Sequence, residues 1–318
     1  MTKTDPLSGK LVTLFGGSGW LGTHVAQDLL ERGARLKIAS RHPEKARHLK
    51  PLANLGQFAL VRCDVSREDS VRAAISGSDA VVNLTGAFGA NAEAVMAWGA
   101  EYIAQAAADE GVGALVHVSA IGADPDGDTA YAVSKAEGEA AMRDLFPQAT
   151  IVRPSIIFGE DGEFINMMAG LIQRLPVLPV FAPESELQLV WVDDVAAGIV
   201  AALADPGKHG GKTYELAGPE RVPMIALNRR IAQAQGRNRH FIPLPDAVSG
   251  GIAAATGWMP GAPISREQWK LLEKGNVASG DYPGFDKLGI SPKPLGLFLD
   301  RWMARYRKHG RFGKKSVV

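Results

Sequence analysis

Residues 11–22, LVTLFGGSGWLG, join a wholly apolar run to a glycine-rich turn. The run Leu11–Phe15 has the length and composition of a buried strand. A helical pattern continues from Trp20 to Arg32, and this stretch therefore predicts a strand, a tight turn and an amphipathic helix. The apolar stripe of that helix consists of Leu21, Val25, Leu29 and Leu30.

The turn contains the spacing G-x-G-x-x-G, which begins at Gly17. Between a strand and a helix, this spacing assigns the turn itself to Gly17, close backbone approach to a pyrophosphate to Gly19, and helix packing to Gly22. The helix N-terminus then faces the phosphates, so the pattern predicts a dinucleotide-binding site. The residues assigned to this loop are Gly16, Gly17, Ser18, Gly19, Trp20, Leu21 and Gly22.

The strand-then-helix order repeats beyond the first helix. Helix-length segments separate the successive apolar runs, which predicts an α/β fold: a Rossmann-type, doubly wound parallel sheet with helices on both faces. We therefore assign residues 1–155 to a nucleotide-binding domain. The further predicted strands are Leu36–Ala39, Phe58–Arg62, Ala80–Leu84, Ala114–Ser119 and Thr150–Arg153.

After Pro154 the rhythm changes, and the segment LPVLPVFAPESE reads as an extended loop. We expect the chain to return once to the first sheet at 188–203, through a strand at Gln188–Val192 and a helix capped by Asp193 or Asp194. Residues 156–318 form a smaller mixed C-terminal region, in which we place a strand at Thr213–Leu216. This region is expected to contact a substrate or a partner.

Composition and charge exclude several classes of protein. The 318 residues carry 35 basic and 34 acidic side chains, so no overall charge favours nucleic acid. A single cysteine, Cys63, fits a reducing compartment. Neither a signal peptide nor a membrane-spanning run of about 18 or more apolar residues is apparent. We expect a cytoplasmic chain, with peripheral attachment to the cytoplasmic face of the inner membrane as the alternative.

The end of the second predicted strand indicates which nucleotide binds. An NAD-preferring site carries an acid about 20 residues after the glycines, whereas this chain has Ser40 and Arg41 there. The fork of Arg41 can pair with a 2′-phosphate, which favours NADPH or NADP over NAD. The alternative is that Arg41 belongs to a solvated basic surface loop.

Polar and small residues follow the later strands at the same edge of the sheet. Asp64 and Val65 fall where the adenine of a dinucleotide is expected, and residues 83–86, at the end of the fourth strand, fall at the binding crevice. Asp, Asn and Gly also favour turns for local reasons, so turn chemistry is the alternative. The remaining predicted nucleotide contacts are Asn83, Thr85, Gly86, Tyr131, Lys135 and Pro154.

Ser119, Tyr131 and Lys135 form a candidate catalytic set. Tyr131 and Lys135 are spaced i and i+4, so they share one face of a helix. A cationic lysine beside the phenol would lower its pKa and allow proton transfer near neutral pH, while Ser119 would hydrogen-bond a substrate oxygen. An ordinary amphipathic helix is the alternative. No histidine pair has metal-ligand spacing, and we predict no metal.

Together these residues resemble the short-chain dehydrogenase/reductase superfamily in its extended or atypical branch, related to the epimerases and dehydratases. The later segments are similar to the nucleotide-binding accessory subunit family of respiratory complex I (NADH:ubiquinone oxidoreductase) and its bacterial relatives. The resemblance implies a seven-stranded sheet, bound NADPH and docking on the peripheral arm of the complex. The segments are 151–166, 189–203, 213–220, 263–279 and 288–312.

Two functions follow from the sequence. The first is an NADPH-binding accessory subunit, in which the nucleotide is mainly structural. The second is a free NADPH-dependent reductase that acts on a carbonyl, for example in quinone biosynthesis. The residues after Ser119 are Ala120 and Ile121, so the acidic neighbour that the resemblance implies for dehydratases is missing.

A basic amphipathic C-terminal segment fits a partner groove, a membrane surface or packing on its own domain. Its apolar and basic residues are Leu295, Phe298, Leu299, Trp302, Tyr306, Arg301, Arg305, Arg307, Lys308, Arg311, Lys314 and Lys315.

Overall fold

The computed structural model describes residues 5–256, 265–308 and 310. The chain divides into two compact units, and both are discontinuous in sequence. The first unit draws on Met1–Pro154, Val192–Leu216 and Ser279–Ser291. The second draws on Ser155–Trp191, Ala217–Ala278 and Pro292–Val318.

A seven-stranded parallel sheet forms the centre of the first unit. The strands are β1 (Leu11–Phe15), β2 (Arg35–Ser40), β3 (Phe58–Arg62), β4 (Ala80–Asn83), β5 (Ala114–Val118), β6 (Thr150–Pro154) and a later strand, Thr213–Leu216. From one edge, the order is β3-β2-β1-β4-β5-β6 and then Thr213–Leu216. The order reverses between β1 and β4, which is where doubly wound sheets bind ligands. The predicted fold class is confirmed.

Helices cover the sheet because strands buried on both faces need apolar cover. The covering elements include α1 (Trp20–Glu31), α2 (Glu68–Ile75), α3 (Gly99–Asp109) and α4 (Ala130–Leu145). A π-helical turn at Ala94–Trp98 leads into α3, and a 3₁₀ stretch spans Pro43–Leu52. The fully buried Phe15, Ile75 and Ile103 belong to the core on the α2 and α3 side.

The seventh strand corrects two expectations from the sequence. Thr213–Leu216 joins the first sheet beside β6, although we expected it in the C-terminal region. The predicted strand Gln188–Val192 does not join that sheet, since only Val190–Trp191 is extended and it pairs with Ile157–Phe158. The length and composition of a short apolar run can predict a strand, but they do not specify the strand with which it pairs. The sequence therefore could not assign these two strands to the correct sheet.

The helix after Val190–Trp191 also starts earlier than expected. It runs over Val192–Ala204, so Asp193 and Asp194 lie in its first turn rather than at its N-cap. Asp193 Oδ1 accepts a hydrogen bond from His24 Nδ1 on α1 at 2.5 Å. Within the first unit, this pair ties the nucleotide-side helix to the returning segment.

The second unit is smaller and mixed. Its strands are β7 (Ile157–Phe158), β8 (Val177–Val180), β9 (Glu186–Leu187), β10 (Val190–Trp191), β12 (Val222–Pro223) and β13 (His240–Pro243), and its helices are α5 (Glu163–Arg174), α8 (Met224–Ala234), α9 (Asp246–Thr256), α10 (Arg266–Glu273) and α11 (Gly296–Met303). The intervening helices α6 (Val192–Ala204) and α7 (Pro206–His209) belong to the first unit, as does β11 (Thr213–Leu216), the seventh strand of its sheet. The pairs β7–β10 and β8–β13 are parallel, and β9–β12 is antiparallel. The segment that we expected to be a loop after Pro176 therefore contains the strand β8.

The apolar stripe of the C-terminal segment packs inside the second unit. Leu299 and Trp302 are buried, and Phe298 stacks on Trp191 with ring centroids 4.1 Å apart. Arg305 Nη2 donates to Asn166 Oδ1 at 2.7 Å. This face of α11 is therefore occupied by its own unit. Arg311, Lys314 and Lys315 lie outside the described residues.

No helix among residues 5–256 and 265–308 combines the length and apolar character that crossing a membrane requires.

Gly138 provides a test of helix packing in the first unit. A Cβ at this position of α4 would lie 2.3 Å from the carbonyl oxygen of Met96. We expect Gly138→Ala to reduce the free energy of unfolding by about 1–3 kcal/mol, because the backbones of two packed elements would have to separate. Amide hydrogen exchange in the unit that carries the substitution measures the effect.

Gly170→Ala is the matched control, since Gly170 also lies inside a helix but a Cβ there meets nothing within 4 Å. It should be neutral or stabilise by up to about 1 kcal/mol through helix propensity. Equal effects of the two substitutions would contradict the close approach of α4 to the π-helical turn.

Candidate functional site

The glycine-rich turn after β1 is shaped by contacts that exclude any side chain. Gly16 has a φ of +75°, in the left-handed region that favours glycine. A Cβ on Gly17 would lie 2.8 Å from Leu14 Cγ, and one on Gly22 would lie 2.6 Å from Gly17 Cα. The left-handed residue of the turn is thus Gly16, whereas the sequence pattern assigned the turn to Gly17. Gly22 packs α1 against the turn.

The N-terminus of α1 is suited to an anion. Gly19 is extended and no side chain caps the helix, whose first residues are Trp20 and Leu21. A Cβ on Gly19 would meet only the carbonyl oxygen of Gly16, at 3.2 Å, so its other side is open. Backbone N–H groups of an uncapped first turn bind phosphate well. The cradle therefore fits the pyrophosphate of a dinucleotide.

Ser18 and Ser40 bring the glycine turn and the end of β2 together. Their Oγ atoms are 2.7 Å apart, so one hydroxyl donates to the other. Arg41 follows at the surface and is exposed, with no hydrogen bond or ion pair among the described residues. Hydrogen bonding by Ser66 lowers the pKa of Asp64 against the effect of burial, and the nearby Arg41 charge contributes. The end of β2 thus brings two hydroxyls together beside the glycine turn, and the exposed guanidinium of Arg41 follows them.

Asp64 and Asn83 both perform turn chemistry. Asp64 Oδ1 accepts from the backbone N of Ser66 at 3.1 Å, and Val65 beside it is buried. Asn83 Oδ1 accepts from the backbone N of Thr85 at 3.0 Å and from Thr85 Oγ1 at 2.7 Å. These bonds shape the ends of β3 and β4, so the local alternative that the sequence left open is present at both positions.

Asn83 also fixes the tautomer of a buried histidine. Its Oδ1 is used by Thr85, so Nδ2 donates to His117 Nδ1 at 3.0 Å. His117 Nδ1 must then be the unprotonated nitrogen, which leaves the ring proton on Nε2. Burial, followed by the charges of Lys135 and Arg143, lowers the pKa of His117 to about 3. His117 therefore stays neutral at physiological pH.

Lys135 places a cation beneath the ends of β4 and β5. Its Nζ donates to the carbonyl oxygen of Val118 at 2.8 Å and to that of Thr85 at 3.1 Å. Burial lowers its pKa to about 8, and the Glu139 carboxylate opposes that shift. The ammonium form therefore dominates at pH 7, with one N–H beyond those two bonds. A cofactor hydroxyl is a suitable acceptor for it.

Tyr131 lies one helical turn before Lys135 on the same face of α4. Its ring stacks on Phe88, with centroids 4.6 Å apart and planes 13° from parallel. Thr129 caps the helix by accepting from Ala132 N at 3.2 Å. This local hydrogen bond fixes where α4 starts, and it therefore also fixes the position of Tyr131 in the first turn of the helix.

Ser119 is held at the end of β5 by bonds to the neighbouring strand. Its backbone N donates to the carbonyl oxygen of Val152 at 2.8 Å, and Ile121 N donates to that of Pro154 at 3.0 Å. The Ser119 hydroxyl is buried and makes no hydrogen bond of normal geometry to any of the described residues. It nevertheless lies near enough to the Glu139 carboxylate to help lower that group's pKa.

Glu139 and Arg153 are site residues that the sequence analysis missed. Glu139 is fully buried, and Arg153 donates to both of its carboxylate oxygens at 2.7 Å. Burial alone would raise the pKa of Glu139, but Arg153, Ser119 and Arg143 together lower it. Glu139 follows Lys135 at i+4, so continuing the Tyr131 spacing by one turn would have found it. The local sequence around Arg153 does not indicate that it pairs with Glu139, because the two residues lie on different elements.

The predicted residues therefore collect at one edge of the sheet in the first unit. The glycine turn, Ser40, Asp64 and Asn83 follow β1 to β4, and Ser119 and Pro154 occupy the ends of β5 and β6. Lys135 connects to this edge through two carbonyl groups. Gly86 borders it, and a Cβ there would meet nothing within 4 Å. The arrangement can hold an extended dinucleotide and present donors at one end of it.

Comparison with known proteins agrees with this geometry. Residues 16–206 match the family model described as NAD(P)H-binding. The chain is 33% identical over 310 residues to the mouse mitochondrial NADH dehydrogenase [ubiquinone] 1 alpha subcomplex subunit 9, covering 95% of this chain and 82% of that protein. It is 29% identical over 243 residues to the ceramide reductase of Caulobacter vibrioides, covering 74% of each.

Among solved structures, the Escherichia coli NADPH-dependent quinone oxidoreductase complexed with NADPH superposes with a TM-score of 0.74. The two sequences are 18% identical, and the match covers 91% of this chain and 99% of the other. This match supports the fold alone. The chain belongs to the NAD(P)H-binding family and, within it, to the family of NADH dehydrogenase [ubiquinone] 1 alpha subcomplex subunit 9.

Proposed function

We propose that this protein is an NADPH-binding accessory subunit of respiratory complex I, in which the nucleotide mainly stabilises the fold. The observation that carries the proposal is the extent of the similarity: 33% identity to the mouse subunit covers 95% of this chain. That coverage extends past residues 16–206, which the family model matches, into the part of the second unit that begins at Ala217. A shared nucleotide-binding domain alone would not account for it.

The nucleotide contributes to stability by mass action. A ligand that binds only the folded chain adds RT ln(1 + [L]/Kd), about 4 kcal/mol at a thousandfold excess over Kd. The residues that hold it are the glycine turn, Ser40 and Arg41 at the adenosine end, and Lys135 at the nicotinamide end. Asp64, Val65, Asn83, Thr85, Gly86, Tyr131 and Pro154 complete its surroundings.

The docking partner is the peripheral arm of the complex, and the chain attaches at the cytoplasmic face of the inner membrane through that partner. The aromatic face of α11 is buried in its own unit, so it does not supply the membrane contact. Arg301 and Leu297 of α11 are exposed. Both can contact a partner protein, and the Arg301 guanidinium can also bind a lipid headgroup. Electrostatic attachment of this kind weakens with salt.

Association with the complex is the first test. In gently solubilised membranes of the native host, the tagged protein should migrate on a native gel with NADH:quinone oxidoreductase activity. A tagged Arg41→Asp variant, weakened in nucleotide binding, serves to ask whether docking needs the nucleotide. A wild-type protein found entirely apart from the complex would contradict the accessory-subunit function.

Arg41 tests the preference for NADPH. We expect Arg41→Asp to weaken NADPH binding at least tenfold, because only NADPH carries the 2′-phosphate and a charge-assisted bidentate pair contributes about 1.5–3 kcal/mol. NADH binding should change by less than about threefold. Isothermal titration calorimetry with both nucleotides measures the two effects.

Arg47→Asp is the matched control, since Arg47 is an exposed arginine of the neighbouring 3₁₀ stretch. It makes the same charge change without the proposed contact, so the ratio of NADPH to NADH affinity should stay near that of the wild type. A uniform loss for both nucleotides in Arg41→Asp would place Arg41 outside the 2′-phosphate site.

A second candidate function is reduction of a carbonyl, favoured by the placement of Tyr131, Lys135 and Ser119 at one end of the nucleotide cradle. When bound, NADPH supplies the hydride that adds to the carbonyl carbon. Tyr131 donates its phenolic proton to the carbonyl oxygen, to which the C=O electron pair moves. Lys135 stabilises the resulting phenolate, and the Ser119 hydroxyl orients the oxygen.

Tyr131→Phe tests this chemistry. The substitution removes the proton donor but keeps the ring that stacks on Phe88, so NADPH oxidation with ketones and quinones should fall at least a hundredfold. NADPH affinity should stay within about twofold, since the phenol makes no phosphate contact. Steady-state kinetics and calorimetry separate the two quantities.

Tyr102→Phe controls for the loss of a hydroxyl elsewhere, because Tyr102 packs against the core of the same unit. It should leave both turnover and affinity unchanged. Wild-type turnover in Tyr131→Phe would remove Tyr131 from the mechanism.

A further inference from the structure

The parallel strand pair β8–β13 of the second unit exposes an apolar face. In this pair His240 lies beside Val177 and Ile242 lies beside Pro179. These four side chains share one face, because alternate residues of a strand point to the same side. All four are exposed, and Ile242 keeps 51% of its surface open to solvent. Three of the four are aliphatic, so the open side of the pair is mainly apolar.

The opposite face of the same pair packs on the core of the second unit. Leu178 and Val180 are buried there, and Phe241 packs against the same cluster. The stretches 175–180, LPVLPV, and 241–245, FIPLP, contain no polar residue. Strands that are apolar on both faces are typical of parallel sheets covered from both sides. The open face of β8–β13 therefore has the composition of a surface that is covered.

The apolar face continues into the residues next to the two strands. Leu175, before β8, is 41% exposed, and Val248, in the first turns of α9, is 47% exposed. Four exposed prolines belong to the same stretches: Pro176, Pro179, Pro243 and Pro245. We call the exposed face of the strand pair, together with Leu175 and Val248, the β8–β13 face.

The chemistry of the β8–β13 face favours lipid over a protein partner. Protein interfaces typically contain about one hydrogen bond per 100–200 Å², and aromatic residues are enriched in them. This face offers aliphatic side chains, and its prolines have no backbone N–H to donate. In a lipid environment an unpaired backbone donor is costly, so the lack of donors at four positions is an advantage there.

Basic residues border the face where both strands begin. Arg174 is exposed and directly precedes Leu175, and Arg239 directly precedes His240. Arg239 Nε donates to the carbonyl oxygen of Ile172 at 2.8 Å, which holds that side chain at this end of the pair. Cations beside an apolar surface match a bilayer, because the guanidinium can meet lipid phosphates while the aliphatic side chains enter the acyl region.

We propose that the β8–β13 face inserts into the interfacial region of an anionic lipid bilayer, with Arg174 at the level of the phosphates. The inference goes beyond the proposed function, in which the chain reaches the membrane through a partner protein. It gives the second unit a direct contact with lipid, made by aliphatic side chains of two short strands.

The test is flotation of the purified full chain with vesicles of phosphatidylcholine, alone or mixed with phosphatidylglycerol. The wild type should bind the mixed vesicles at least about threefold more tightly than the neutral ones, because each basic residue near an anionic surface adds attraction. Arg174→Glu should remove most of this preference. Arg47→Glu makes the same charge change at an exposed arginine of the first unit and should leave the preference unchanged.

A double substitution, Val177→Thr with Ile242→Thr, tests the apolar contact. Threonine keeps the β-branched shape that suits a strand, so the thermal unfolding temperature should stay that of the wild type. Vesicle binding should weaken at least about fivefold, because two aliphatic groups no longer leave water. The matched control is Leu52→Thr with Leu55→Thr, at two exposed leucines of the first unit, which should bind as the wild type does.

The outcomes separate this inference from the proposed function. It is overturned if the wild type binds neither kind of vesicle, or if the Val177/Ile242 variant binds vesicles as tightly as the wild type. If that variant keeps vesicle binding but no longer migrates with the complex, the β8–β13 face meets a protein instead, and the lipid contact is wrong. A wild type that binds vesicles yet migrates apart from the complex contradicts the proposed function alone.

Discussion

The burial of the Lys135 ammonium is the constraint on which the arrangement of the site depends. A charge out of water needs partners, and here two carbonyl oxygens at the ends of β4 and β5 provide them. The Glu139 carboxylate one turn along α4 balances the cation, and that carboxylate is itself fully buried. It is paired in turn by Arg153 on β6. Helix α4 and three adjacent strands are thus fixed relative to one another by a chain of charges.

In this network of buried charges, no single member can be removed without destabilising the others. Leaving one partner of a buried pair uncompensated typically costs about 3–5 kcal/mol, whereas the intact pair contributes little net stability. The benefit lies in geometry: α4 has one register in which Lys135, Glu139 and Tyr131 all reach their neighbours. The same register serves a nucleotide held for stability and a carbonyl held for reduction, so the two candidate functions share one architecture and differ in what reaches Tyr131.

Features encoded by local spacing could be predicted from the sequence. The glycine turn, the strands up to β6 and the shared face of Tyr131 and Lys135 follow from short-range periodicity, and the structure has them where we expected. The reversal at Gly16 was missed because its φ depends on the chain path beyond the G-x-G-x-x-G pattern. The placement of Thr213–Leu216 beside β6, the pairing of Glu139 with Arg153 and the stack of Phe88 on Tyr131 all join residues from different elements. These contacts depend on topology, which periodicity does not contain.

The division of the chain has a consequence for its synthesis. The first unit includes Ser279–Ser291, where Ser279 N donates to Glu215 Oε2 at 2.7 Å and Phe285 is buried. The second unit is completed by α11, whose Trp302 lies in its core. Neither unit can therefore close on the ribosome until nearly the whole of this sequence has emerged. Pairings over such long separations form slowly, so apolar surface of both units stays exposed to water while most of the chain is being synthesised.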